Sequence, residues 1–290
     1  MATPARLFPT SPLFGRDQNS TWQGMKRFIP FLKSPPTVNV VALSGAIASG
    51  GRIGTLNDAG LASTLTKAFK KGKPAAVALQ LNSPGGSPAQ SSLIGARIRR
   101  LAEENDVPVF AFVEDVAASG GYWLAASADE IFVDATSIVG SIGVISASFG
   151  FNELMQRQGI ERRVHTAGKD KSMLDPFRPE RPADVKRLKA LQAQIHDTFI
   201  DHVKSRRGAR LSEDGDLFTG EIWVGQKAID VGLADAIGHL VPVMKERFGD
   251  KVRFNTFGPK RSLFQRFGVR VLTSAIDQLD EKALWARFGL

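Results

Sequence analysis

The segment "VPVFAFVEDVAASGGYW" (residues 107–123) joins an apolar extended run to the start of a helix. The run is rich in valine and phenylalanine, which predicts a buried strand. Ser119 stands between two alanines and two glycines, where the strand gives way to the helix. Small residues there allow either tight packing or the approach of a substrate backbone to a nucleophilic serine. The remaining sequence has to distinguish these two interpretations.

Apolar runs alternate with amphipathic segments along the first half of the chain. The runs are apolar throughout, which is typical of parallel strands buried on both faces. We therefore predict an α/β fold in which helices cover a parallel sheet. The predicted strands are 38–45, 75–81 and 107–114, and the predicted helices are 57–72 and 87–104, the latter with Leu93, Ile98 and Leu101 facing inward.

The second half of the chain continues this alternation less regularly. "EIFVDA" (130–135) and "RRVHTAG" (162–168) read as strands, and "NELMQRQG" (152–159) reads as a helix. A long amphipathic pattern predicts a helix over 182–208, followed by a helix, a turn and a short strand within 220–238. The stretch 169–182 is irregular and basic.

The composition excludes several classes of site. The chain has 290 residues and is 43% hydrophobic, enough for a full core. It has no cysteine, which excludes disulfides and thiolate metal sites. Its four histidines lack the close spacing of metal ligands, so we predict neither a metal nor another cofactor.

The net charge of +9 comes from the two ends of the chain. Residues 1–37 carry +4, residues 245–290 carry +5, and residues 38–244 are neutral. A neutral body argues against a nucleic-acid cleft. The basic ends suit an anionic membrane surface, although they can equally serve solubility. We predict a basic arm (1–37), a catalytic domain (38–244) and a basic, helical C-terminal tail (245–290).

The sequence encodes no apolar run long enough to span a membrane and no signal-peptide core near its start. "TWQGMKRFIPFLK" (21–33) is amphipathic and basic, and Pro30 limits its length. It can form a short interfacial anchor or an arm that docks on the body or on a neighbouring subunit.

Two strand ends carry residues suited to acyl transfer. "LNSPGGSPA" (81–89) places Gly85 and Gly86 before a helix, where backbone N–H groups can hold a negative oxygen. Ligands gather at the carboxyl ends of parallel strands, so this turn and Ser119 are expected to share a crevice. A serine needs a base, and a lysine can serve if burial lowers its pKa from about 10.4 toward about 7–8. Lys169 and Lys171 in the irregular segment are the candidates.

Four separated blocks resemble the signal peptide peptidase A family, the S49 serine peptidases, in its short single-domain form. They are "NSPGGS", "AASGGYWLAASADEIFVDATSIVGSIGV", "GKDKSMLDPF" and "FTGEIWVGQKAIDVGLADAIG". The resemblance implies a Clp protease- and crotonase-like spiral of ββα units and a Ser/Lys dyad. It maps the nucleophile onto Ser119 and the base onto Lys171, with Lys169 as the fallback. It also maps oxyanion donors onto Gly85, Gly86 and Gly120, and Ser141 onto a serine that can fix the lysine.

The resemblance implies a serine endopeptidase that acts on unfolded or membrane-derived peptides, such as cleaved signal peptides. It also implies a homo-oligomeric ring. Because a transmembrane anchor is lacking, we expect a cytoplasmic protein, peripheral on the cytoplasmic face of the membrane. The alternatives are an acyl-CoA enzyme on the same fold and a non-catalytic membrane-associated scaffold.

Overall fold

The computed structural model describes residues 35–50, 55–168, 170–213, 216–258 and 284–289. These residues, from Pro36 onward, belong to one compact unit. The amphipathic stretch 21–33 and most of the predicted C-terminal helical stretch lie outside the described residues.

A mostly parallel sheet forms the centre of the described part of the chain. Its eight strands are β1 (Thr37–Ser44), β2 (Ala76–Ser83), β3 (Val109–Ala118), β4 (Glu130–Val133), β5 (Ile138–Gly140), β6 (Ile222–Val224), β7 (Ala236–Ile237) and β8 (Arg253–Phe257).

The strands follow the order β6-β5-β3-β2-β1-β8, with β4 and β7 branching off beside β3. The branch arises because β3 has two successive partners: residues 110–113 pair with β4, and residues 116–118 pair with β5. Only β5 and β6 pair antiparallel among the described strands. The second half of β3 therefore runs on beyond its first partner and ends at Ala118, directly before Ser119.

Helices follow most of the strands, as expected for an α/β fold. Asn57 caps the first helix by accepting a hydrogen bond from the Gly60 N–H at 2.8 Å, and Ser87 with Pro88 begins the second. The helices are α1 (Asp58–Lys70), α2 (Pro88–Asn105), α3 (Gly120–Ala126), α4 (Asn152–Arg157), α5 (Pro182–Arg207), α6 (Gln226–Asp230) and α7 (Leu240–Phe248).

Both faces of the sheet are buried in apolar clusters. Alternate residues of β1 show this directly, since Val38 and Val40 belong to one cluster, and Val41 and Leu43 belong to the other. The larger cluster includes residues of α1, α2, α3 and α5, and the smaller one includes Met244 of α7. The predicted α/β class, with a parallel sheet covered by helices, is confirmed.

Three details differ from the sequence prediction. Leu93 is 51% exposed, because the inward stripe of α2 runs through Ile94, Ile98 and Leu101 instead. "RRVHTAG" (162–168) forms no strand, since no neighbouring strand pairs with it in the described chain. The third difference concerns the predicted boundary at residue 244: β8 pairs with β1, so the sheet extends to Phe257 and this part of the basic tail belongs to the body.

Candidate active site

Ser119 occupies a sharp turn between β3 and α3, with φ +52° and ψ −121°. Gly225 has nearly the same conformation at the start of α6, with φ +47° and ψ −115°. L-residues with a side chain rarely adopt positive φ, so a serine here is held against its backbone preference. The Ser119 N–H donates to the Gly140 carbonyl at 2.8 Å, and the Ser119 carbonyl accepts from the Trp123 N–H at 3.1 Å. Ser119 is partly exposed, whereas Ala118 and Gly120 on either side are buried.

The Gly85-Gly86 turn packs directly against Ser119. A Cβ atom on Gly85 would lie 2.7 Å from the Ala118 carbonyl oxygen and 2.9 Å from Ser119 Cβ. A Cβ atom on Gly86 would lie 2.0 Å from the Ile47 carbonyl oxygen. Both glycines also have positive φ. The turn therefore needs glycine for close approach as well as for conformation, and the expected neighbourhood of this turn and Ser119 is observed.

The N–H groups beside Ser119 fall into two kinds. The Gly85 N–H donates to Ser83 Oγ at 3.2 Å. Neither the Gly86 N–H nor the Gly120 N–H has a hydrogen-bond acceptor among the described residues. Gly86 N lies only 3.4 Å from the position that a Cβ of Gly120 would take, so these two groups are close neighbours. Two unpaired donors beside a serine hydroxyl are the elements of an oxyanion hole.

Ser141 lies next to the residue that holds the Ser119 backbone. It is 6% exposed with φ +50°, and its N–H donates to the Glu221 carbonyl at 2.6 Å. The structure shows no hydrogen bond between Ser141 and Lys171 among the described residues. Its role as a lysine-fixing residue stays a prediction.

Lys171 lies in a turn at residues 170–174, and its side chain is exposed. Its N–H donates to the Gly168 carbonyl at 3.2 Å. No hydrogen bond joins Lys171 to Ser119 among the described residues of the single chain, and the Ser/Lys dyad stays a prediction. The fallback, Lys169, lies outside the described residues.

A cavity of about 600 Å³ opens within the same part of the chain as Lys171. Its wall includes Phe149, Pro176 and Ser172, together with an Arg181–Asp184 ion pair with an N–O distance of 2.8 Å. The hydrogen bond from Arg181 lowers the pKa of Asp184. Because Ser119 does not line this cavity, it is separate from the crevice beside the nucleophile.

The charged and aromatic groups around α3 have structural roles. The Tyr122 hydroxyl is fully buried and donates to the Leu233 carbonyl at 2.9 Å, and burial raises its pKa. His202 stacks on Trp123 with ring centroids 4.5 Å apart, and its Nε2 lies 3.1 Å from the Trp123 carbonyl oxygen. Burial lowers the pKa of His202.

No cluster of three or more metal-ligating side chains occurs among the described residues.

Sequence reasoning missed two residues that shape the site. Ile47 follows β1; its N–H donates to the Gly85 carbonyl at 2.8 Å, and its carbonyl accepts from the Ser87 N–H at 2.7 Å. Ser83, the last residue of β2, holds the Gly85 N–H. The signal for Ser83 was its place directly before Pro84 in "NSPGGS". Nothing in the sequence indicates the pairing of Ile47, which is non-local.

None of the helices in the described part of the chain is both long enough and apolar enough to cross a membrane.

Comparisons with known proteins identify the family of this chain. Residues 102–248 match the model of peptidase family S49. The chain is 47% identical over 92% of its length to a protein of Brucella melitensis named Na(+)/H(+) antiporter NhaA, and spans 39% of that protein. It is also 30% identical, over 69% of its length, to the probable protease SohB of Haemophilus influenzae, and spans 56% of it.

A solved "1510-N membrane-bound stomatin-specific protease" aligns with 79% of this chain and 100% of its own, at a TM-score of 0.45 and 12% identity. The chain spans less than half the length of the first relatives it matches. The family model covers half of the sequence, including Ser119, Ser141 and Lys171. This chain is therefore a member of peptidase family S49, the serine peptidases.

Proposed function

We propose that this chain is an endopeptidase in which Ser119 and Lys171 form the catalytic dyad, and that its substrates are unfolded or membrane-derived peptides such as cleaved signal peptides. The observation that carries the proposal is the conformation of Ser119. A serine held at positive φ beside two unpaired N–H groups suits a nucleophile better than a packing residue.

The chemistry follows from the atoms at the site. The neutral Lys171 Nζ removes the proton from Ser119 Oγ, and Oγ attacks the peptide carbonyl carbon. The N–H groups of Gly86 and Gly120 receive the developing oxyanion. The tetrahedral intermediate collapses, the C–N bond breaks, and the Nζ proton passes to the leaving amine. Water then hydrolyses the ester on Ser119, with Lys171 again acting as the base.

Membership of a peptidase family supports a peptide as the substrate. The glycines beside Ser119 allow the strand–helix junctions to pack closely, because a Cβ atom on Gly85, Gly86 or Gly121 would collide with neighbouring protein atoms. An amine base must be neutral to act, so the rate of hydrolysis is expected to rise with pH.

Assembly into a homo-oligomer is part of the proposal. Lys171 makes no hydrogen bond with Ser119 in the described single chain, and its segment exposes large apolar residues, including Phe149 (78% exposed) and Leu154 (55% exposed). Burying such residues against a second copy lowers the free energy of the assembly and can bring the base to its partner. The basic ends of the chain suit peripheral contact with an anionic membrane, on the cytoplasmic face in our proposal.

The test is hydrolysis by the unchanged protein and by Ser119→Ala of labelled casein and of a hydrophobic signal-peptide analogue, with products identified by mass spectrometry. We expect cleavage by the unchanged protein and a loss by a factor on the order of 10⁴ or more in Ser119→Ala. Equal cleavage by both proteins would exclude Ser119 as the nucleophile. Absence of cleavage, with hydrolysis of an acyl-CoA instead, would favour a thioesterase.

A further inference from the structure

Ser83 connects the ends of two neighbouring strands through its buried hydroxyl. It is 0% exposed, and its Oγ–H donates to the Gly45 carbonyl, just after β1, at 2.7 Å. The same oxygen accepts the Gly85 N–H at 3.2 Å. One hydroxyl thus uses both its donor and an acceptor site to join the β1 end to the turn after β2.

Ser83 also touches the helix that follows the nucleophile. A Cβ atom on Gly121 would lie 2.4 Å from the Ser83 carbonyl oxygen and 3.2 Å from Ser83 Cβ. Ser83 is therefore in contact with all three strand–helix junctions that form the site.

A contact of the same turn with Ile47 determines where the Gly86 N–H points. The Gly85 carbonyl accepts from the Ile47 N–H at 2.8 Å. In a trans peptide the C=O of one residue and the N–H of the next point in opposite directions, and the described chain has no cis bond. The Gly86 N–H therefore points away from Ile47. Its nitrogen lies 3.4 Å from the Cβ position of Gly120.

The hydrogen bond from the Gly85 N–H to Ser83 Oγ fixes the orientation of the peptide plane between Pro84 and Gly85. Without it, a buried N–H would lose its acceptor, and the turn would rotate to find another. Rotation of this turn moves the Gly86 N–H out of line with the oxyanion.

We propose that Ser83 is a positioning residue, which aims the Gly86 N–H at the oxyanion without touching the substrate. This inference rests on the proposed peptidase function. It assigns to Ser83 a contribution to the rate of the chemical step rather than to substrate binding, because the oxyanion forms only in the transition state.

The test compares Ser83→Ala with Ser127→Ala, a matched control. Ser127 is also 0% exposed, and its hydroxyl also donates to a backbone carbonyl, that of Trp123 at 3.0 Å, but it lies at the far end of α3. Each variant loses one buried hydroxyl, so both are expected to show similar decreases in melting temperature. Hydrolysis of the signal-peptide analogue is measured per active site, after titration with a fluorophosphonate.

For Ser83→Ala we expect kcat to fall about 10- to 100-fold with little change in KM, because removal of an entire oxyanion donor costs about 10²- to 10³-fold. Inhibition by a peptide aldehyde, whose adduct with serine carries the oxyanion, is expected to weaken by the same factor as kcat/KM. For Ser127→Ala we expect kcat and aldehyde inhibition to stay near those of the unchanged protein.

Equal kcat values for the two serine variants would overturn the positioning role, as would a Ser83→Ala effect confined to KM. If Ser83→Ala fails to fold, Ser83→Cys replaces it, since a thiol is a similarly small but weaker donor and acceptor. The same fall in kcat is then expected, and an unchanged kcat overturns the inference. Failure of the proposed peptidase function gives a different result. In that case the unchanged protein does not cleave the peptide, or Ser119→Ala cleaves it as fast as the unchanged protein.

Discussion

The two predicted members of the dyad lie in opposite kinds of environment. Ser119 ends a central strand, and glycines and buried residues from three strand–helix junctions surround it. Lys171 belongs to the segment 143–183, where every described residue is exposed or partly exposed. The side chains of this segment contact one another, as in the Arg162–Asp175 ion pair at 3.0 Å and the stacking of Phe151 on Phe177.

This difference indicates what positions each group. Packing in the core fixes Ser119, the proposed nucleophile, and the neighbouring N–H donors within a single chain. The segment that carries Lys171, the proposed base, gains little from the core, because it buries little apolar surface there. We infer that a second contact, with another copy or with the substrate, is needed to order the base for catalysis.

After Ser119→Ala, the largest effect is expected on activity at Lys171, the exposed member of the pair. Lys171→Ala should reduce hydrolysis on the order of 10³-fold or more, while the melting temperature changes little because the side chain is exposed. Lys169→Ala is the control and should retain activity. If Lys169→Ala is the inactive variant, the assignment of the base has to move to that residue.

The loss of stability on substituting a glycine should be much larger near Ser119 than in the segment 143–183. Gly86→Ala places a methyl group 2.0 Å from the Ile47 carbonyl oxygen and should lower the free energy of unfolding by about 3 kcal/mol or more. Gly159→Ala, at φ +65° in open space, should cost only about 1 kcal/mol. Chemical denaturation of both variants measures the difference, and similar costs would mean that the junction is looser than its contacts indicate.

Assembly should depend on the exposed segment and not on the body. Replacing Phe149 and Leu154 by serine should shift the protein toward the monomer in sedimentation experiments and reduce hydrolysis with it. Leu93→Ser is the control, because Leu93 is also exposed but lies on α2 in the body. An unchanged sedimentation coefficient in the double variant would show that this segment does not form the interface between copies.

The smallest expected effect concerns α5, which spans both regions. Burial lowers the pKa of His202 in the folded chain, so the unfolded chain takes up the proton first. Stability should therefore decrease as the pH falls below about 6.5, the unfolded value, and level off once the folded form is also protonated.

Denaturation curves at several pH values test this dependence. His202→Gln should flatten it, whereas His165→Gln, at an exposed position in the segment 143–183, should leave it unchanged. An equal dependence in all three proteins would show that other groups cause it.

The amino-acid sequence by itself determined the α/β class, the first three strands and the two helices between them, because continuous apolar runs and capping residues are local signals. It also determined the family, through four blocks of residues. It predicted that Ser119 and the Gly85-Gly86 turn lie together, since small residues at strand ends are visible in the sequence, and the structure shows that they do.

Only the tertiary structure decided the rest. The pairing of β8 with β1, the exposure of Leu93 and the absence of a strand at 162–168 depend on which segments meet across the sheet. The same is true of the site: the neighbourhood of Gly86, Gly120 and Ile47 joins three distant junctions. A local pattern specifies the periodicity of an element, but the contacts of a turn depend on non-local packing, which no short stretch encodes.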